Sequence, residues 1–372
     1  MVWAGVAGWA LLGSAALAGP VPDYGFNWVT VGDPGNRATL PEEVPSMPNL
    51  RIGAVDHTFR LTRTKINNLQ MLEFVRAYAP FWQGDPRDPM LTSDWIWPVR
   101  QPDGSYDYEI EEGAEHWAAY MGWEMAARYC NWLHNGKLHE AWAFESGAYD
   151  TSTFTENDDG SFNHQRAHSE GALFWIPTLD ELIKGAYWDP NKNGVGGYHM
   201  HPGGSDEQLI EGLPEDGGQT IGALIWDLGS EWGGWDLEQY PNTRSPWGLL
   251  DISATEKDWT ETPEMIDPSR NAGREVVGSV AGDLTWFVFD RLDLRGAHSI
   301  WSSVGGALRI ASILPPECDA DRTGDGSLDV SDVQVFLADF AAHNAPADWI
   351  DDGRFDFFDV QAYLSDFAAG CP

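Results

Sequence analysis

The sequence predicts an α+β protein in two parts. A large irregular domain covers 20–312 and a small α-helical module covers 318–372, with a linker at 313–317 between them. Helix-type periodicity is confined to a few short stretches of the first part. Between those stretches the chain is rich in Gly, Asp and Trp, with brief apolar runs such as DLTWFVFD at 283–290. The final part contains the same loop-then-helix unit twice, at a spacing of 27 residues.

The first segment, MVWAGVAGWALLGSAALAG, is uncharged and apolar, and Ala16-Leu17-Ala18 forms an A-x-A cleavage site before Gly19. Residues 1–18 therefore read as a signal peptide, although no basic residue opens it. A membrane anchor is the competing reading, but the segment is short, rich in small residues and followed by Pro20 and Pro22. Export permits disulfides, and the three cysteines allow one bridge. A net charge of −36 argues against nucleic acid or an anionic membrane as partner.

Three helices are legible in the large domain. Asn67 to Tyr78 carries Leu69, Leu72, Phe74 and Val75 behind an Asn cap. Trp123 to Leu133 puts Trp123, Ala127 and Cys130 on one face. The third starts at Thr178, which forms a capping box with Glu181 ahead of LDELIKGAYW. Twenty Trp and forty Gly fit a loop-rich, aromatic-rich domain better than an idealised one.

In the duplicated unit, DRTGDGSLDVSD (321–332) aligns with DWIDDGRFDFFD (348–359). Val333, Phe336, Leu337 and Phe340 recur as Val360, Tyr363, Leu364 and Phe367, an i, i+3, i+4, i+7 stripe. A merely acidic, solvated tail explains neither the repeat nor the Gly at position 6 of both copies. A twelve-residue loop with acids at 1, 3, 5, 9 and 12 wraps oxygens around one Ca²⁺. Loop one offers Asp321, Thr323, Asp325, the carbonyl of Ser327, Asp329 and Asp332. Loop two offers Asp348, Asp352, the carbonyl of Arg354, Asp356 and Asp359, with Ile350 giving no ligand at position 3.

A duplicated loop-then-helix unit with Asp at position 12 resembles the dockerin family, in its form bracketed by cysteines. The resemblance covers 318–372 and implies a Cys318–Cys371 bridge that leaves Cys130 free. It also implies a cohesin-like or cell-surface partner for the module.

The large domain resembles the formylglycine-generating enzyme (sulfatase-modifying factor) family, whose fold is a variant of the C-type lectin fold. WVTVGDPGN (28–36) is similar to its opening strand, and FRLTRTKINNLQMLEFVRAY (59–78) to its first helix, with Lys65 where the family carries Glu. GWEMAARYCNWLHNGK (122–137), FWIPTLDELIKGAYWDP (174–190), SPWGLLDISATEKDWTE (245–261) and GALRIAS (306–312) follow in the family's order. The resemblance implies an irregular C-type-lectin-like domain. It also implies a calcium site built from the side chains of Asp251 and Asp258 and the carbonyls of Ala254 and Glu256. The competing reading makes these residues surface acids of a very acidic protein.

Formylglycine generation in that family needs two cysteines on one copper ion, late in the domain. Residues 271–305 contain none, so copper chemistry is not expected. Cys130 falls on an apolar helix face and reads as a buried small hydrophobe. His164 and His168 are spaced i, i+4, and His199 and His201 i, i+2, without a carboxylate at a diagnostic spacing; they read as solvated loop histidines. No nucleophile elbow, phosphate-binding loop or dinucleotide fingerprint appears. Paired acids are too common to single out a glycosidase pair, and most tryptophans are expected in the core.

The expectation is a secreted, non-catalytic binding protein with no assigned catalytic residue, calcium as its cofactor, and a glycan or protein ligand for the large domain. The alternative is an extracellular enzyme, either a divergent oxidase or a component of polysaccharide degradation.

Overall fold

Frequent Gly, Pro and Asp keep the elements short. The computed structural model describes residues 21–226, 235–265, 267–294, 296–300, 306–314, 318–323 and 328–370. The expected signal peptide at 1–18, the loop-one positions Asp325 and Ser327, and Cys371 lie outside the described residues. One compact unit spans Asp23–Leu314, and a second carries Pro315–Pro372.

The large unit is mixed α+β with small antiparallel sheets. Its strands are β1 (Trp28–Val31), β2 (Phe59–Thr62), β3 (Ile96–Arg100), β4 (Tyr106–Ile110), β5 (Phe174–Trp175) and β6 (Trp188–Asp189). They continue with β7 (Gly197–Tyr198), β8 (Asp258–Pro263), β9 (Gly273–Val277), β10 (Gly296–Ser299) and β11 (Ala311–Ser312). One sheet has the order β1-β2-β11-β5, so the last strand of the unit pairs with its second. A second sheet has the order β10-β9-β8, and β3-β4 and β6-β7 form two-stranded ribbons.

The three legible helices are present. α1 (Asn68–Tyr78) starts behind Asn67, whose side chain accepts from Gln70 N in a capping box. α2 (Trp123–His134) buries Trp123, Ala127 and Cys130 as the periodicity requires. A short α3 (Ala141–Glu145) follows, and α4 (Leu179–Tyr187) carries the Thr178–Glu181 box. Phe74 meets Tyr129 and Trp132 at centroid distances of 5.1 and 5.7 Å, locking α1 to α2 through aromatic edges and faces. Leu69 departs from its expected place on the apolar face. It sits in the first turn of α1 and is 45% exposed, and Met71 fills the core instead.

The run at 283–290 is not core either. It contributes the one-turn helix α5 (Trp286–Phe289), begun by Asp283 accepting from Thr285 N, and leaves Leu284 exposed. Strands β9 and β10 flank that run, and all five residues of β9 are buried.

In the small unit, α6 (Val330–Ala342) and α7 (Phe357–Ala369) are both N-capped by the loop's position-9 acid. Asp329 and Asp356 cap their helices, with Asp332 and Asp359 closing the boxes. Phe336 and Tyr363 are fully buried and stack face to face, 3.9 Å apart and 4° from parallel. Leu337 and Leu364 belong to the predicted apolar stripe but are 47% and 45% exposed, so the helix seam is narrower than the stripe.

Phe336→Ala removes half of this stack and should cost roughly 3–5 kcal/mol. We expect the small unit to lose its cooperative helical transition, read by circular dichroism, while the main tryptophan-fluorescence transition stays in place. Retention of both transitions would reject this account of the core.

Candidate functional site

The segment 245–258 carries the densest chemistry of the large unit. Asp251 and Ala254 take left-handed backbone angles, φ +59° and +47°. The loop is pinned by Ser279, whose hydroxyl accepts from Ala254 N at 2.8 Å, and by Thr255, whose hydroxyl donates to the Asp251 carbonyl at 2.8 Å. Gly278 is required there, because a side chain would strike the Ile252 carbonyl at 2.3 Å.

Inside the loop lies Asp258, fully buried at the start of β8. Its Oδ2 stands 3.1 Å from Lys65 Nζ and its Oδ1 3.4 Å from Arg309 Nε, and none of the three side chains reaches solvent. Lys65 also donates to the Asp251 carbonyl. Arg309 donates to the carbonyls of Thr62, Arg63 and Leu250 at 2.8, 2.6 and 2.8 Å. Burial pulls the Lys65 pKa down, and the nearby Asp258 carboxylate resists that pull.

The four residues of the expected calcium site all lie on this loop. The Asp258 carboxylate faces Lys65 and Arg309, and the Asp251 carbonyl accepts from Lys65. The Asp251 carboxylate accepts from Glu238 N at 3.0 Å. Ala254, Glu256 and Asp258 are buried, so Glu256 and Asp258 are not surface acids, while Asp251 is half-buried. The Glu256 carboxyl is pushed up to about 7 by burial, with the Lys257 amide and the Tyr120 hydroxyl opposing the shift.

Above the cluster runs an open groove of about 390 Å³, lined by Thr64, Asn67, His116, Asp236, Glu238 and Gln239. Its size suits a small polar ligand or one residue of a polymer. Leu237 N donates to the His116 carbonyl at 3.1 Å, which holds its two walls together. Its residues are ordinary polar types and one leucine, Leu237, brought together only by the fold, and no local pattern in the sequence announces them.

None of the four histidines His164, His168, His199 and His201 is a freely exposed loop side chain. His164 is buried, 2.7 Å from Glu124, and stacks on Phe154 at 4.6 Å. His168 bonds the buried Glu261 at 3.1 Å and stacks on Trp175 at 4.6 Å. His199 lies between Asp189 and Asp206, and His201 is buried. Their carboxylate partners lie 10 to 93 residues away in the sequence, except Asp206, and no local spacing announces them. Cys130 is free and buried, with its thiol pKa pushed well above the ordinary value by burial.

In the small unit, Thr323 N and Ile350 N, the position-3 amides of the two loops, donate to Asp332 and Asp359 at 2.9 and 3.2 Å. Asp348 accepts from Asp352 N and Gly353 N, wrapping loop two about its first carboxylate, and Gly353 takes φ +76°. The donor set is all oxygen, which suits a hard cation. Among the described residues, however, no three acidic, His or Cys side chains stand close enough to hold one ion. Cys318 is disulfide-bonded.

No family model matches the chain, and no curated protein matches it. Two solved structures are similar over much of it. CarF shares 13% identity, with a TM-score of 0.45, over 79% of this chain and 99% of its own. Treponema denticola variable protein 1 shares 14%, with a TM-score of 0.43, over 78% of this chain and 95% of its own. Likeness at this level says nothing about activity.

Asp290 gives the large unit a pH dependence. Burial pushes its carboxyl up to about 7, only partly opposed by Ser253 and Ser279, whose hydroxyls approach without well-formed hydrogen bonds. An unfolded Asp ionises near about 4. Between these values the folded chain keeps a proton that the unfolded chain has released. Stability from this group is therefore full below about pH 4 and lost as pH rises toward 7, on the order of 4 kcal/mol at most. Asp290→Asn cannot ionise, so its melting midpoint should fall less between pH 5 and 8 than that of wild type. Equal slopes in tryptophan-monitored melts would remove Asp290 from the account.

Proposed function

We propose that this is an extracytoplasmic, non-catalytic binding protein: a sulfatase-modifying-factor-like domain of C-type-lectin-like fold carries the ligand groove, and a dockerin-like module attaches it to a partner. The observation that carries this reading is the apolar surface left by the duplication. Val330 and Leu337 on α6, and Phe357 and Leu364 on α7, occupy equivalent i, i+7 positions and are 66%, 47%, 70% and 45% exposed. Exposed apolar residues repeated in register, which the module does not use for its own core, fit a docking face. A cohesin-like domain is the proposed partner class.

The fold reading is supported by where the resembling segments fall. Four of them supply β1, β2, β5 and β11, which make a single sheet. The groove offers hydroxyl, amide, imidazole and carboxylate groups side by side, which favours a glycan as its ligand. No pair of cysteines exists in 271–305 to hold copper, which supports a binding role over oxidase chemistry. Among the described residues no helix is long and apolar enough to cross a membrane.

The docking face is tested by Leu337→Asp combined with Leu364→Asp. Both sites are already exposed, so the helical signal should survive while capture of immobilised cohesin-type domains, or of cell-wall fractions, falls at least tenfold. Undiminished capture sinks the assignment.

Calcium is proposed for both loops, held by Asp321, Thr323, Asp325, Ser327, Asp329 and Asp332 in the first, and by Asp348, Asp352, Arg354, Asp356 and Asp359 in the second. Ile350 leaves the second loop one oxygen short, and a water filling the gap brings no charge. Asp321→Ala should therefore weaken calcium binding, measured calorimetrically, more than Asp348→Ala does. The reverse order would mean that the ligands are misassigned.

A further inference from the structure

We propose that the ammonium of Lys65 is the resident cation of the 251–258 loop, so that the large unit keeps its fold without any metal while calcium acts on the small unit alone. The inference goes beyond the binding role proposed above for the groove and rests on none of its ligands.

The loop has the construction of a cation cage. Two non-glycine residues, Asp251 and Ala254, hold left-handed angles, which costs energy unless the surrounding contacts demand them. Lys65 takes one carbonyl and one carboxylate oxygen of this loop, from Asp251 and Asp258. Arg309 takes the other Asp258 oxygen and the Leu250 carbonyl beside it. The three charged side chains are sealed from water: Lys65, Asp258 and Arg309 have no exposed side-chain surface.

Charge decides against a metal in addition. Lys65 and Arg309 contribute two positive charges and Asp251 and Asp258 two negative ones, and burial pushes the neighbouring Glu256 and Asp290 carboxyls up to about 7, so with both protonated the cluster is formally neutral. A divalent ion would leave an excess of two positive charges in a low-dielectric interior, where uncompensated charge is costly. The lysine also has an advantage over a free ion. It is tethered between β2 and α1, so filling the site costs no translational freedom and depends on no ion concentration.

Removing the ammonium while keeping its oxygen ligands should reopen the cage. Lys65→Ala leaves the Asp258 carboxylate, the Asp251 carbonyl and the volume of a lysine side chain, whereas Lys65→Met removes the charge but keeps the space filled. The full chain serves for all measurements, because Trp349 is the only tryptophan in 315–372 and tryptophan fluorescence reports mainly on the large unit.

Three melts in excess EDTA and in millimolar calcium give the test. Wild type should show the same tryptophan midpoint in both. Lys65→Ala should melt lower than wild type in EDTA and recover at least half of that loss in calcium, and calorimetry should count one more calcium per chain than wild type binds. Lys65→Met should be lowered equally in both. A wild-type midpoint that falls in EDTA overturns the proposal, because a metal would then hold the large unit. So does a Lys65→Ala that gains nothing from calcium, including one that folds in neither condition while Lys65→Met folds. If both variants fail to fold, the wild-type melts decide. Loss of calcium binding by the small-unit loops would appear instead in the helical signal, and so cannot be mistaken for either result.

Discussion

Asp258 joins three parts of the large unit that are far apart in sequence. Lys65 comes from the connection between β2 and α1, Arg309 from the approach to β11, and Asp258 itself opens β8. Breaking a buried pair by deleting one partner typically costs about 3–5 kcal/mol, because the survivor is left as an uncompensated charge. Its contribution is therefore less a bonus to stability than a condition on the fold: the β2–α1 connection, the approach to β11 and loop 251–258 must meet for any of the three charges to be satisfied. Arg309 strengthens the condition by bonding the carbonyls of Thr62 and Arg63, which places β2 and the last strand in register around it.

A unit with such short elements needs side chains to do what ladders do elsewhere. Buried amides carry much of this. Asn131 donates to the carbonyls of Phe144 and Tyr149 and accepts from Tyr149 N, fixing the segment after α3 against α2 with three bonds from one residue. Asn271 does the same for the carbonyls of Phe162 and His164 from its left-handed position before β9. Each such amide satisfies loop carbonyls that would otherwise be buried without partners. The buried histidine–carboxylate pairs follow the same logic: they satisfy polar groups between loops.

What could be read from the sequence is what is written locally. Caps and capping boxes lie within four residues, so Asn67, Thr178 and the two helix starts at Asp329 and Asp356 were accessible to pattern reading. The β3–β4 ribbon was also accessible, through the PDG turn that puts Gly104 at φ +91° between two aromatic-rich runs, but the signal went unused. The ion cluster was not accessible: Lys65 stood out only as a departure from the resembling family and Asp258 only as a candidate calcium ligand, and no local pattern joins them across 193 residues. The same holds for the groove, whose walls come from 64–67, 116 and 236–239. The stripe in the tail shows the opposite failure, in which a correct local pattern overstates what is buried.

The geometry of that stripe explains why. Successive helix residues turn by about 100°, so Leu337 stands that far around α6 from Phe336, and Leu364 likewise from Tyr363. Two helices meeting through one aromatic stack cover a seam centred on Phe336 and Tyr363, with Val333, Phe340, Val360 and Phe367 packed partly along it. A third helix would be needed to cover the Leu positions, and among the described residues the duplicated unit supplies only two α-helices. Leucines kept at both equivalent positions are therefore unused by the module's own packing. The two helices thus leave apolar residues exposed in register beside a core built on one aromatic stack.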